Sequence, residues 1–156
     1  MNKNDPDTTG IKIIPPVYVV SAIVIGVVLN ILFPTPYLAT ITTGVVGGML
    51  VLISIVFSIW AIRGQKKAGT TIDVRTPTTY LVTQGAYQFS RNPMYLGSVI
   101  FMMGIGLAFS NSWILISVPI VILILTKQII LPEEQYLKNK FGQEFSNYCS
   151  KVRRWI

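Results

Sequence analysis

Histidine is absent from the 156-residue chain, and cysteine occurs once, at Cys149. The first absence removes the usual general base and the commonest metal ligand. The second excludes an intrachain disulfide and leaves no cysteine cluster to hold a metal, so Cys149 reads as a small filler residue. Charge is scarce too. Only 12% of residues are Asp, Glu, Lys or Arg, against about a quarter in an ordinary soluble domain. The little charge present is lopsided, with 13 basic residues against 6 acidic and a net charge of +7. Aromatic and basic residues do not interleave, so nucleic acid is not an expected partner. In so apolar a chain the basic excess points to membrane topology and to anionic lipid headgroups. Chemistry here must rest on carboxylates, Tyr, Arg or Lys, or must need little acid–base help.

Long apolar runs take up most of the sequence. Residues 1 to 12 are polar and mixed in charge, and an uncharged run follows from Pro16 to Phe33. At ~1.5 Å per residue it can cross a bilayer core with little tilt. It does not have the pattern of a secretory leader, because Asp5 and Asp7 spoil a positive start and no A-x-A site follows. Pro34-Thr35-Pro36 closes it. The second run, Leu38 to Ile62, holds Gly44 and Gly48 in G-x-x-x-G spacing with Gly47 beside them. Small residues so placed let membrane helices approach closely, within one chain or between copies in a homo-oligomer. A polar insert, residues 63 to 94, precedes a short third run from Tyr95 to Phe109. Ser110-Asn111-Ser112 is a tight uncharged turn, and the fourth run goes from Trp113 to Leu131. In the tail, Leu137, Phe141, Phe145, Tyr148, Val152 and Trp155 form one helical stripe with a basic margin. That pattern suits a helix lying on the membrane surface or packed on the ends of the spans.

Charge sets the expected topology. The insert carries Arg63, Lys66, Lys67, Arg75 and Arg91 against Asp73, a net +4, and the tail from Pro132 has five basic residues against three acidic, a net +2. Basic loops stay cytosolic. The expected fold class is all-α: a polytopic membrane protein with about four transmembrane helices, a cytosolic insert and a C-terminal amphipathic helix. The expected location is a prokaryotic plasma membrane, with both termini, the insert and the tail cytosolic. One domain covers 1–156, with two N-terminal spans to residue 62 and an insert, hairpin and C-terminal helix from 63.

A three-residue turn makes the last two runs an antiparallel hairpin, so their outer ends must lie close together. RNPMYLG, Arg91 to Gly97, is at one end and LPEEQYL, Leu131 to Leu137, is at the other. Each serves as a helix start. Asn suits an N-cap, Pro the first helical position, and acids the first turn. The same geometry also makes a site. A helix N-terminus and Arg91 attract a carboxylate, while Glu133 and Glu134 accept from hydroxyls or amines. A ligand that is both carboxylate and cation fits, and S-adenosylmethionine is one.

These pieces resemble the integral membrane methyltransferases, a group that includes isoprenylcysteine carboxyl methyltransferases and phospholipid N-methyltransferases. The resemblance rests on Leu81-Val82, Gly85-Ala86-Tyr87, Arg91 to Gly97, Glu133-Glu134, and Phe141-Gly142 through Phe145 and Tyr148. It covers roughly residues 69 to 156 as an ordered set with the hairpin between. It implies S-adenosylmethionine as cofactor, bound by Leu81, Val82, Gly85, Tyr87, Asn92, Pro93, Tyr95 and Glu133. Main chain near Leu81 and Val82 would read the adenine, and Glu133 would accept from ribose hydroxyls or the amino group. Candidate catalytic residues are Arg91, Tyr95 and Glu134, with Glu134 supporting Glu133 and Arg91 supplying charge near the cofactor or a headgroup. The acceptor would be a lipid or lipidated molecule from the bilayer.

Two departures divide the acceptor class. Isoprenylcysteine enzymes usually carry His where Asn92 stands. They also carry an Arg for the substrate carboxylate where Ile129 stands, so Lys127 or Arg75 would have to substitute. Asn92 to Ser98 resembles the phospholipid enzymes, whereas the Phe-Gly tail resembles the carboxyl methyltransferases. A (prenyl)cysteine-type carboxylate and a lipid amine both stay open. So do an NADPH-dependent sterol-reductase-like enzyme and a non-catalytic lipid- or partner-binding protein. Methyl transfer from a sulfonium is an in-line displacement that needs alignment and exclusion of water, which suits a chain without histidine or metal ligands.

Overall fold

In the computed structural model, the described residues are 9–11, 13–35, 40–70 and 76–156. Asp5, Asp7, Pro36, Asp73 and Arg75, all used in the sequence reading, lie outside them. Helix α1 is Pro15–Leu32, α2 is Ile41–Lys67, α3 is Pro93–Ala108, α4 is Ser112–Leu125 and α5 is Leu131–Lys151, with a 3₁₀ turn at Gly85–Gln88. No strand occurs among the described residues. α1, α2 and the helix beginning at Ser112 are long and apolar enough to cross a membrane; α3 is apolar but shorter. The chain is an all-helical polytopic membrane protein.

Local chemistry sets most boundaries. α1 and α3 start on prolines, where a missing N–H loses no helical bond. α2 starts on a reciprocal capping box between Thr40 and Thr43. It runs past Ile62, where the apolar sequence ends, to Lys67, so its last turns carry the first basic residues of the insert. The expected hairpin is present. Asn111 caps α4 by accepting the Ile114 N–H at 3.1 Å, and it donates to the Gly26 carbonyl at 3.2 Å.

The α3–α4 hairpin is the centre, with α2 packed on α3 and α1 on α4. Met102, Ile114, Val121, Leu125 and Ile130 are buried along it. The close approach of α2 to α3 does not use the G-x-x-x-G pair. A Cβ added at Gly44 or Gly48 meets nothing within 4 Å, whereas one at Gly47 collides with main chain at Gly104 and Ala108, and one at Gly97 with the Ser58 hydroxyl. Gly47 faces the neighbouring helix because 3.6 residues per turn place it on a different side from Gly44 and Gly48.

Two further features depart from the pattern read in the sequence. At Pro132 the helix does not begin anew. α4 continues through a π turn, Thr126–Ile130, directly into α5, and the Leu131 N–H reaches back to the Thr126 carbonyl. Proline lacks an N–H and crowds the carbonyl one turn earlier, and the wider turn gives that crowding room. Conversely, the tail is not one straight amphipathic helix. Gly142, at φ 52° and ψ −118°, kinks α5, in a conformation glycine adopts readily. The second half then folds back so that Phe145 and Tyr148 bury against Leu81, Ala86 and Tyr87. The tail packs on the ends of the spans.

Candidate functional site

The cleft lies where the two ends of the hairpin meet the insert. Leu81 and Val82 form one wall, Tyr87 and Tyr148 another, and Arg91, Asn92, Glu133 and Glu134 the polar side. The insert is fastened to α5 by the Thr78 N–H, which donates to the Tyr136 hydroxyl at 3.1 Å. Thr79 ties it to the end of α2, donating to the Thr70 hydroxyl and the Gly69 carbonyl.

Asn92 occupies the N-cap position of α3, but its side chain makes no capping bond. Its amide instead donates to the Arg154 carbonyl at 2.9 Å. Ser90, fully buried, donates to the same carbonyl at 3.3 Å and accepts the Asn92 N–H at 3.1 Å. The Arg91 N–H donates to the Arg153 carbonyl at 3.0 Å. Arg154 completes the strap. Its guanidinium donates to both Glu134 oxygens, at 3.0 and 2.7 Å, and Arg91 pairs with Glu134 at 3.1 Å. Glu134 is thus clamped between two cations and holds RNP to the C-terminus.

Glu133 has a different environment. The Tyr95 hydroxyl donates to it at 2.9 Å. It stands beyond Leu131, the last residue of the apolar run, and is half-buried. Burial pushes it up to about 7, and the nearby Glu134 charge adds to the rise, against the Tyr95 hydrogen bond. Tyr87 and Tyr148 are also pushed above the usual phenol range, chiefly by burial. Both remain neutral, and Tyr148 donates to the Tyr87 carbonyl at 2.6 Å.

The cleft leaves polar atoms waiting. Gln65 Oε1, Tyr87 Oη and Arg91 Nε are buried without a partner, and all three residues line it. Buried polar groups are normally paired, and here an acceptor, a hydroxyl and a cationic donor at one cleft could each pair with a polar ligand. Their chemistry fits the amine, hydroxyls and carboxylate of S-adenosylmethionine.

Leu81, Val82, Tyr87, Arg91, Asn92, Glu133 and Glu134 therefore converge. Pro93 and Tyr95 line a small adjoining cavity of about 20 Å³. Gly85 stands apart, in a groove beside Trp60. Gln65 and Tyr80 also line the cleft with no sequence signal of their own, and so does Phe145 of the tail stripe. Arg154 is one of the basic residues beside the tail stripe, and that position is its one signal in the sequence.

Fold and cleft define a helical membrane protein with a polar site at the ends of its spans. The sequence model of the phospholipid methyltransferase family matches residues 42–144, well over half the chain, and the chain belongs to that family of methyltransferases. An uncharacterized protein of Haemophilus influenzae is 40% identical over 63 residues, covering 40% of this chain and all of that one. Protein-S-isoprenylcysteine O-methyltransferase B of Arabidopsis thaliana is 35% identical over 72 residues, 46% of this chain and 36% of its own. Protein-S-isoprenylcysteine O-methyltransferase of Schizosaccharomyces pombe is 30% identical over 89 residues, 57% of this chain and 38% of its own. The match thus spans little more than a third of each of these two named enzymes. No solved structure matches the chain.

Proposed function

We propose that this protein transfers a methyl group from S-adenosylmethionine to a lipophilic acceptor held in the bilayer. The observation that carries the reading is the unpaired trio Gln65, Tyr87 and Arg91 around a cleft that also holds Glu133. S-adenosylmethionine supplies an electrophilic methyl group when bound. Glu133 would accept from its hydroxyls or amine, with Tyr95 fixing the carboxylate. Arg91 would take its carboxylate, and the main chain near Leu81 and Val82 would read the adenine. Glu134 acts one step back, holding Arg91 and Arg154. The enclosed space is about 60 Å³, far below a typical ligand site of roughly 300 Å³ or more, so binding requires the walls to part. Basic residues in the insert and tail support a cytosolic cleft.

A lipid amine is the favoured acceptor. Ile129, where the carboxylate-reading Arg of isoprenylcysteine enzymes is expected, is buried in the apolar hairpin core. Lys127 is exposed and does not line the cleft. Among the described residues Arg91 is the one cation that lines the cleft, and its free Nε is the donor assigned above to the cofactor's carboxylate. An amine acceptor needs no cation, and the enclosing walls exclude water.

Isothermal titration of the purified protein with S-adenosylmethionine and with S-adenosylhomocysteine tests the cofactor, and no heat of binding with either would overturn it. Transfer of labelled methyl into total lipid extract, against prenylated thiols, tests the acceptor. Label in the thiols alone would reverse the amine assignment.

A further inference from the structure

Beside the cleft lies a larger groove, of about 580 Å³, to which no step above assigns a role. Arg63 and Lys67 from the end of α2 line one side, and Tyr80, Thr83 and Gln84 from the insert line the other, with Trp60 at its base. Arg63 and Lys67 are exposed, and among the described residues neither makes an ion pair. Among the described residues, no acidic side chain lines the groove. Its two cations suit an anion.

The helix below says what kind of anion. Val56, Trp60, Arg63 and Lys67 are spaced four, three and four, which is one stripe of α2. Val56 and Trp60 are exposed, at 67% and 44%, so the stripe is an apolar track that ends in two cations. Trp60 sits between Phe57 and Phe89, with ring centroids 6.1 and 5.8 Å away. Aromatic rings at this level mark the headgroup depth of a membrane. An acyl chain along the track puts its phosphate among Arg63, Lys67 and the hydroxyl of Thr83.

We propose that this groove binds the phosphodiester of an anionic bilayer phospholipid. The site is built by α2 and the insert together, and it shares Tyr80 and Val82 with the neighbouring cleft. Bound lipid therefore holds the insert against α2 at the wall of the cleft. This assignment does not depend on any reading of the cofactor or the acceptor.

Native mass spectrometry of the full chain, released from neutral detergent with phosphatidylglycerol, phosphatidylcholine or inorganic phosphate, reads it directly. Phosphatidylglycerol should be retained in preference to phosphatidylcholine, whose choline finds no acid among the described residues of the groove. Arg63→Gln and Lys67→Gln should each weaken retention roughly fivefold, equivalent to ~1 kcal/mol per cation. Lys138→Gln and Lys151→Gln, each of which removes one charge elsewhere, should leave it unchanged. Equal retention by the Arg63 and Lys67 variants would overturn the proposal, as would equal loss in the Lys138 and Lys151 controls. Inorganic phosphate adducts without lipid retention would show a free-anion site instead, and that too would overturn it. The melting temperature of each variant reports its fold, and S-adenosylhomocysteine binding reports the cleft separately.

Discussion

Glu133 is placed where a charge is hard to hold and a proton easy to keep. Burial pushes its carboxyl up to about 7, so it keeps a proton far more readily than a free carboxyl does. The carboxylate is the stronger acceptor at both oxygens. Ligand donors therefore favour the ionised form, and binding below pH 7 must release a proton. Affinity for S-adenosylhomocysteine is expected to rise from pH 5 to 7, about tenfold per unit, and to level off above. Titrations in buffers of different ionisation enthalpy check the proton release. Glu133→Gln should flatten the pH profile and weaken binding tenfold to a hundredfold, the loss of a charged hydrogen bond of ~1.5–3 kcal/mol. An unchanged affinity would remove Glu133 from the site. Sequence reasoning found this residue through the hairpin, and it placed Asn92 correctly at a helix start. It had no means to find the partner of Asn92. Capping propensity is local, whereas the Arg154 carbonyl that takes the amide lies at the far end of the chain.

Among the elements, the C-terminal strap stands out. Val152 leaves the helix in extended conformation, and the residues after it carry the bonds that fasten RNP to α5. Trp155 adds a bond to Thr126, at 3.3 Å. Arg154→Ala should lower thermal stability by ~1–2 kcal/mol, because Glu134 keeps one of its two cations, and should weaken cofactor binding as Asn92 and Arg91 loosen. Truncation after Lys151 should do more on both counts. Differential scanning fluorimetry in detergent, run with and without S-adenosylhomocysteine, separates the two effects. If truncation altered neither, the strap would be ornamental. The stripe of Phe145 and Tyr148 was legible from its spacing. The kink was not. Gly142 within a helical pattern reads as a small loss of propensity, and its positive φ is imposed by packing of the half-helix beyond it.

For the molecule as a whole, stability should follow the α2–α3 contact. Gly47→Val forces a side chain into the Gly104 main chain and should destabilise by ~1–3 kcal/mol. Gly44→Val, on a face with open space, should change little, and melting temperatures in detergent would show the contrast. The sequence marked this stretch of α2 as an interface, and within the chain the contact falls to Gly47, beside the spaced pair. Two patterns, Gly44/Gly48 and Gly47, overlap in one run, and the choice between them depends on which face of α2 meets α3. The span lengths and the hairpin were legible because hydrophobic length is a bulk property. The continuity of α4 with α5 was not, since Pro132 announces a break. The π turn that carries the helix past it has a consequence of its own. Each residue of an α-helix advances the chain by ~100° of rotation, so one surplus residue in a single turn resets the phase of everything downstream. Excising Gln128 would restore regular winding and swing Glu133 and Glu134 more than a quarter-turn away from Tyr95 and Arg91, with every site side chain still present. The acids are aimed by a count of residues in the turn before them, and the site is set by arithmetic as much as by chemistry.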